Sequence, residues 1–304
     1  MNPLAPGVEE RIAHLWGATL DDVLAGRLDT PTFTTEPVDG VTAEDRHLPD
    51  GRRLARRYEP TASVPGPAPG IVWVHGGAWV SGDLDMPEAD AVARRLASWC
   101  GAVVWSVDYR LAPTHTHPAA VDDVTTVLEW AAADPAVDPE RLHLGGASAG
   151  AHLAAAAVAG APPLASLTLA YPAIDPIDGP YGTDRPDACP ELLWFDRSVV
   201  AGAFSLYLGT ATAAPAIPRR ALPLHGDLSV WPPTLVTLST LDALAPQGEL
   251  VAERLNAAGV PVVVDRHDDL LHGFLDQCGD VPAADAALRR VAYFLDEGRL
   301  EKHP

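Results

Sequence analysis

The sequence predicts an α/β protein with a mostly parallel central sheet and helices on both of its faces. From about residue 70 onward, short runs of Val, Ile and Leu alternate with helical stretches. Such alternation is typical of consecutive βαβ units. Apolar runs of this kind indicate parallel strands that are buried on both faces. The predicted strands are residues 71–75, 102–107, 141–144, 166–171, 234–239 and 261–266, and the predicted helices are residues 89–100, 119–133, 149–159, 247–258 and 283–297.

The first part of the chain departs from this alternation. Residues 1–40 predict one or two short helices, around residues 8–15 and 20–27, followed by a connection rich in Pro and Thr. Residues 41–48 and 52–59 then predict two antiparallel strands, because a Pro-Asp-Gly turn separates them. This pair would precede the parallel strands.

A second interruption covers residues 174–232, which are rich in Pro, Gly and Asp and show no clear period. A stretch this long inside a compact domain is usually functional. It follows a strand, on the side of the sheet where α/β proteins bind their ligands. We therefore expect residues 41–304 to form the α/β domain, with this insertion forming a lid or cap.

The composition limits which partners are plausible. The 304 residues include 21 basic and 41 acidic side chains, a formal net charge of −20. So acidic a surface repels phosphate backbones and anionic membranes, which argues against nucleic-acid and membrane partners. The start of the chain carries Glu9 and Glu10 where a secretory signal needs basic and then apolar residues. The sequence leaves a homodimer open.

The three cysteines predict reduced thiols in a cytoplasmic protein. Cys100, Cys189 and Cys278 lie far apart, and no metal-ligand spacing such as CxxC occurs. His115 and His117 also lack a convergent ligand spacing with other histidines. The sequence therefore predicts no metal site.

The strongest chemical motif is Gly-Ala-Ser-Ala-Gly at residues 146–150. It lies directly after a predicted strand and directly before a predicted helix. A sharp strand-to-helix turn exposes the serine side chain, and the flanking glycines relieve crowding in that turn. The helix N-terminus supplies positive potential for a developing oxyanion. This context predicts Ser148 as a nucleophile.

A serine hydroxyl needs a base, and that base needs a group that orients it. Where this type of turn carries a nucleophile, the chain order is serine, acid, histidine. His272 and Asp242 satisfy that order, and both lie in loops after strands, at the same edge of the sheet as Ser148. The competing candidates for acid and base, which lie in or beside the last strand, are Asp265, Asp268, Asp269 and His267.

The segment His-Gly-Gly-Ala-Trp at residues 75–79 follows the first parallel strand. Its glycines allow backbone N–H groups to approach a substrate oxygen closely, as an oxyanion hole requires. Ala149, directly after the predicted nucleophile, would supply a further N–H.

These motifs together resemble the hormone-sensitive-lipase-like family of α/β-hydrolase esterases. The matching segments, in the family's order, are HGGAW at 75–79, DYRLAP at 108–113, GASAG at 146–150, YP at 171–172, WPPTLVTLSTLDAL at 231–244 and LHGF at 271–274. The resemblance implies an α/β-hydrolase fold and Asp242 as the triad acid. It further implies Gly76, Gly77 and Ala149 as oxyanion donors, and a cap built from the helices of residues 1–40 together with the insertion at residues 174–232. The resemblance also implies no cofactor, and activity on small-molecule esters of modest acyl length.

The chain departs from the family pattern at several positions. The family usually has a third Gly at Ala78, an acidic residue or Thr at Ala147, and a Gly at Ala151. The acidic residue that follows YRLAP in the family is Thr114 here. None of these changes removes a catalytic group, but residues beside the nucleophile shape the acyl pocket.

Aromatic side chains in or next to the predicted roof are candidates for an apolar substrate pocket. Packing of the cap itself is an equally good interpretation. The candidates are Trp79, Trp194, Phe195, Tyr207 and Phe274.

Three other side chains are predicted to have structural roles. Asp108 and Arg110, after a strand, are expected to form a buried pair that fixes the loop. His152, one helical turn after Ser148, is expected to pack within its helix.

The sequence thus predicts a serine hydrolase that cleaves carboxylic esters by acyl transfer to water. Amide or formamide hydrolysis stays open, because the same triad attacks amides. The fold also serves non-catalytic small-molecule receptors, although all three triad residues are present here. A triad adapted to acyl transfer or elimination is a third alternative.

Overall fold

An eight-stranded sheet organises the protein in this computed structural model, which describes residues 4–17, 38–62, 66–209 and 217–297. The spatial order is β1-β2-β4-β3-β5-β6-β7-β8. The pairs β1–β2 and β2–β4 are antiparallel, and every other pair is parallel. The strands are β1 Val41–His47, β2 Arg53–Pro60, β3 Ala68–Val74, β4 Val103–Val107, β5 Val137–Ala147, β6 Ser166–Ala170, β7 Thr234–Ser239 and β8 Val262–His267.

Helices cover both faces of this sheet, as the sequence predicts. Within the described ranges they are α1 Val8–Ile12, α2 Pro87–Cys100, α3 Ala119–Ala133, α4 Ala149–Ala157, α5 Arg197–Leu208, α6 Ala245–Ala257 and α7 Pro282–Glu297. One core packs α3, α4 and α6 on the sheet, and the other packs α1, α2 and α7 on the opposite face. Alternate residues of β3 enter the two cores, so its apolar run is buried on both sides.

The predicted βαβ alternation is therefore confirmed, with small shifts at element ends. The antiparallel pair at the start of the domain is also confirmed. Strand β5 is longer than predicted, since it begins at Val137 rather than at Arg141. The helix predicted at residues 20–27 lies outside the described residues.

The insertion at residues 174–232 contains regular structure that the sequence pattern does not reveal. Helix α5 begins after Asp196, whose carboxylate accepts the N–H groups of Ser198 and Val199. It ends at Gly209, which adopts the left-handed conformation at φ 69°. These two capping residues are the local signals that could have predicted the helix.

The predicted pairing of Asp108 with Arg110 is wrong, although both side chains fix loops. Asp108 accepts a hydrogen bond of 2.8 Å from Nε of Arg53 on β2. Arg110 instead binds Asp123 on α3, with Nε and the backbone N–H each 2.9 Å from Oδ2. The two side chains therefore attach the loop after β4 to different elements.

The cysteines carry free thiols, as predicted. In the part of the chain that the structure describes, no helix is both long and apolar enough to cross a bilayer. The cytoplasmic location and the homodimer stay predictions.

Candidate active site

Ser148 occupies the turn between β5 and α4 with a strained backbone. Its φ of 52° and ψ of −118° lie outside the regions that most side chains adopt. The two flanking glycines are sterically required. A Cβ on Gly146 would lie 2.5 Å from the carbonyl oxygen of Gly150, and one on Gly150 would collide with the carbonyl oxygen of Val74. The motif thus fixes a turn that presents the hydroxyl at the sheet edge.

The predicted base and acid meet this serine in a continuous hydrogen-bonded chain. His272 Nε2 lies 3.0 Å from Ser148 Oγ. The other ring nitrogen, Nδ1, lies 2.6 Å from Asp242 Oδ2. Asp242 Oδ1 accepts the backbone N–H of Leu244 at 2.9 Å, which leaves Oδ2 directed at the imidazole. Both His272 and Asp242 are buried, which strengthens the bond between them.

Two of the four competing candidates near the last strand, Asp265 and His267, bind other side chains. Asp265 accepts bonds of 2.8 Å from Nε of Arg290 on α7 at both carboxylate oxygens. His267 Nε2 contacts Asp265 at 3.3 Å and Thr237 Oγ1 at 3.1 Å. Neither side chain therefore binds Ser148 or His272.

The loop after β3 turns through three consecutive left-handed residues. Gly77, Ala78 and Trp79 have φ values of 106°, 51° and 63°. A Cβ on Gly77 would overlap the carbonyl oxygen of Ser81, so only glycine fits there. His75 stabilises the start of the loop, because its ring stacks on that of Tyr109 with 4.4 Å between the centroids. Ala78 adopts the backbone conformation that favours the family's usual glycine.

The prediction that Gly76 donates to an oxyanion is wrong for this conformation of the loop. Its N–H already donates to Oε2 of Glu88 on α2, at 2.5 Å. Within the described residues, by contrast, the N–H groups of Gly77, Ala78 and Ala149 have no hydrogen-bond acceptor. Gly77 and Ala78 line the same cavity as Ser148, and Ala149 lines a smaller cavity with it. The free donors therefore begin one residue later than predicted.

The larger cavity, about 780 Å³, opens beside Ser148 and His272. Residues from both predicted cap segments contribute to its wall, namely Ile12 and Leu15 near the N-terminus and Phe195 from the insertion. This volume lies within the usual range for small-molecule sites, roughly 300–1,000 Å³.

Comparison with known proteins agrees with this architecture. A sequence model of the alpha/beta hydrolase fold matches residues 71–276. Carboxylesterase NlhH of Mycobacterium tuberculosis is 36% identical over 233 residues, covering 73% of this chain and 71% of that protein. Esterase LipI of the same organism is 35% identical over 255 residues, covering 80% and 76%. The chain belongs to the hormone-sensitive-lipase-like family of α/β-hydrolase esterases.

A solved member of this fold extends the similarity over nearly the full chain. The hyperthermophilic esterase from the archaeon Pyrobaculum calidifontis matches with a TM-score of 0.76 and 28% identity. The match covers 98% of this chain and 99% of that one. The two proteins therefore share their fold over nearly the whole of both chains.

The structure divides the five aromatic candidates for the substrate pocket. Phe195 lines the large cavity, and its ring contacts that of His272 with 4.5 Å between the two centroids. Trp79 borders only the smaller cavity beside Ser148. Tyr207 and Phe274 are fully buried, and Trp194 packs against the core on the α2 and α7 face. These last three have packing roles rather than pocket roles.

His152 is more than a helix-packing residue, which corrects the sequence prediction. Its Nδ1 accepts the indole N–H of Trp79 at 3.2 Å, so Nε2 carries the proton and donates to the carbonyl of Ala221 at 3.0 Å. Burial lowers the pKa of His152 to about 4, which keeps the ring neutral. The imidazole therefore connects the loop after β3 to the insertion.

Glu88 is the functional-site residue that the sequence did not indicate. An acid in the first turn of a helix is usually an exposed partner of the helix dipole, yet this side chain is buried against the active-site loop. Its second oxygen, Oε1, accepts the hydroxyl of Tyr171 at 2.5 Å, and its backbone N–H donates to Asp276 at 3.0 Å. Glu88 thereby joins the loop after β3, the turn after β6 and the segment that follows His272.

The protonated and ionised forms of Glu88 have similar populations near neutral pH. Burial, together with the nearby carboxylate of Asp276, raises the pKa of Glu88 to about 7 against the lowering effect of the bonds from Tyr171 and Gly76. Burial also raises the pKa of Asp276. Each carboxyl therefore retains a proton in the folded protein at a pH where the unfolded chain has lost it.

Glu88→Gln is expected to change how stability depends on pH. The unfolded glutamate releases its proton near pH 4.3, roughly, whereas the folded one holds it to about pH 7. The folded wild type therefore loses stability as pH rises through this window, and the variant lacks that loss. The stability of Glu88→Gln relative to wild type should rise by about 3 kcal/mol between about pH 4 and about pH 8.

Urea unfolding at these two pH values measures that difference. Glu129→Gln, on the exposed face of α3, is the matched control and should keep a constant difference from wild type. If the difference in unfolding free energy between Glu88→Gln and wild type were the same at both pH values, the Glu88 carboxyl would not titrate between them.

Proposed function

We propose that the protein hydrolyses carboxylic esters of small molecules by acyl transfer through Ser148. The observation that carries this proposal is the buried chain of hydrogen bonds from Asp242 through His272 to Ser148, with 2.6 Å and 3.0 Å between the bonded atoms. The same geometry serves the nucleophilic serine of unrelated hydrolases. The names of the two relatives, carboxylesterase and esterase, agree with it.

In the acylation step, Ser148 Oγ attacks the ester carbonyl carbon while His272 Nε2 takes the hydroxyl proton. Asp242 holds the Nδ1–H tautomer and stabilises the imidazolium that forms. The carbonyl oxygen becomes an oxyanion. As the C–O bond to the alcohol breaks, His272 returns the proton to the departing oxygen, and an acyl-Ser148 ester remains.

Deacylation repeats these steps with water as the nucleophile. His272 takes a proton from the water, whose oxygen attacks the acyl carbon. The proton then passes to Ser148 Oγ as the acid leaves. Atoms and charges balance without a cofactor or a metal.

The oxyanion in both steps is assigned to the N–H groups of Gly77, Ala78 and Ala149. The support is that these three donors are free among the described residues while that of Gly76 is not. Loss of one such donor typically costs about 10²- to 10³-fold in kcat. The role of Gly76 is then to carry the bond to Glu88 that orients the two donors after it.

Residues 4–17 and 174–232 are proposed to act together as the cap over this site. Their support is the wall they share around the large cavity, to which Ile12, Leu15 and Phe195 contribute. Among the predicted aromatic residues, Phe195 is proposed to contact the substrate directly.

The direct test compares an ester with an amide. We expect wild-type protein to hydrolyse p-nitrophenyl acetate with a kcat/KM far above that for an aryl formamide of similar size. A reversed order would favour the formamide hydrolase instead. No turnover of either compound, combined with saturable binding of small molecules, would favour a receptor that has kept its triad.

A further inference from the structure

Two cavities of very different size meet at Ser148. The larger, about 780 Å³, includes His272 and Gly273 in its wall. The smaller, about 10 Å³, has Ala149, Trp79, Val200 and Leu244 among its lining residues. His272 belongs to the wall of the larger one and not to that of the smaller.

The direction of proton transfer determines which part of an ester lies on each side. His272 must give its proton to the departing alcohol oxygen, so that oxygen lies on the imidazole side of Ser148. The alcohol therefore extends into the larger cavity. The acid part stays on Ser148 after the alcohol leaves, and it lies on the side away from His272, in the smaller cavity.

By the same measure, the small cavity has little more than a hundredth of the volume of the large one, about 10 Å³ against about 780 Å³. A methyl group fits such a space, whereas a longer chain would require the wall to move. The wall is closely packed, because Trp79 and Val200 are almost completely buried. Enlarging a closely packed space in this way is unfavourable.

The back of this wall is fixed by hydrogen bonds as well as by packing. Trp79 donates to His152, which in turn donates to the carbonyl of Ala221. The rings of Phe204 and Tyr207 pack on the same indole, with centroids 5.2 Å and 5.8 Å away. Moving Trp79 would break this set of buried contacts, so the acyl side resists expansion.

The larger cavity, on the alcohol side, has room for a large group. Its walls include Ile12, Leu15, Met86 and Leu193, and it is large enough for a group of several rings. On the basis of the proposed ester hydrolysis, we infer that the substrates are esters of an acetyl-sized acid with a bulky, mainly apolar alcohol.

The test measures kcat/KM for two ester series. Along p-nitrophenyl acetate, butyrate and octanoate, each step should lower kcat/KM by at least about tenfold. Replacing phenyl acetate by 2-naphthyl acetate should lower it by less than about threefold, because the added ring enters the large cavity. Octanoate turned over as fast as acetate would overturn the inference and leave ester hydrolysis intact, whereas no turnover of any ester would contradict the proposed function itself.

Variants of the small cavity provide the second arm. Val200→Ala and Leu244→Ala should each raise the butyrate-to-acetate ratio of kcat/KM by about tenfold, since each creates room for added methylenes. Leu206→Ala, on the exposed side of the same helix as Val200, is the control and should leave the ratio unchanged. The ratio is taken within one preparation, so the folded fraction cancels. An unchanged ratio in both cavity variants would refute the assignment of the acyl side.

Discussion

Ser148→Ala is expected to lower kcat for p-nitrophenyl acetate by about 10⁵- to 10⁶-fold. Without the hydroxyl no acyl-enzyme forms, and His272 loses the group from which it takes a proton. The residual rate would come from oxyanion stabilisation and substrate positioning alone, which leave about 10³-fold over the reaction in water. The measurement is steady-state release of p-nitrophenol with wild type and variant at equal concentration.

Ser205→Ala is the matched control for this variant. It also removes one hydroxyl, which donates to the carbonyl of Ala201 within α5, and it should keep nearly full activity. If Ser148→Ala retained more than about a hundredth of wild-type kcat, the hydrolysis would have to proceed through a different nucleophile.

Asp242→Asn is expected to lower kcat by about 10⁴-fold. The neutral amide presents either an N–H₂ or a carbonyl oxygen to His272 Nδ1, and it does not stabilise the imidazolium. Because Leu244 N–H requires an acceptor at the Oδ1 position, the amide nitrogen would face the imidazole. The proton would then move to Nε2, so that the ring could no longer act as a base toward Ser148.

The control for this prediction is Asp265→Asn, a change of the same kind in the acid that competed with Asp242 in the sequence. Asp265 binds Arg290 and His267 rather than the catalytic histidine. Its variant should lose stability but keep kcat per folded molecule within about threefold. If Asp265→Asn lowered kcat far more than Asp242→Asn did, then Asp265, and not Asp242, would be the acid of the catalytic triad.

The hydrogen-bonded arrangement of Ser148, His272 and Asp242 could be predicted from sequence because parallel strands place their carboxyl ends at one edge. Ser148 follows β5, Asp242 follows β7 and His272 follows β8, so chain order and strand ends were enough to bring them together. The glycine pattern around the serine added the turn geometry, which local sterics alone determine. These features depend on short-range sequence and on the sheet topology.

The residues whose free N–H groups we propose as oxyanion donors could not be identified from sequence, because they depend on a contact from another element. Gly76 loses its N–H to Glu88, which α2 carries into the loop from twelve positions away. No sequence pattern predicts that this carboxylate is buried or that it binds Tyr171.

The aromatic residues and the insertion show the same limit. Tyr207 and Phe274 are aromatic, as residues of an apolar pocket often are, but tertiary packing buries them completely. The buried side of helix α5 carries Val200, Phe204 and Tyr207 at helical spacing, but Val199 and Leu206 are apolar and exposed, which obscures that period in the sequence. Its caps, Asp196 and Gly209, were the only local signals of its ends.

Covalent labelling tests most directly whether Ser148 is an activated nucleophile. A fluorophosphonate should add once per chain, with loss of fluoride, and peptide mass spectrometry should locate the phosphonyl group on Ser148. Labelling and loss of ester hydrolysis should proceed at the same rate. An unlabelled Ser148 in a preparation that hydrolyses esters, or complete inactivation by an adduct on another residue, would contradict the mechanism.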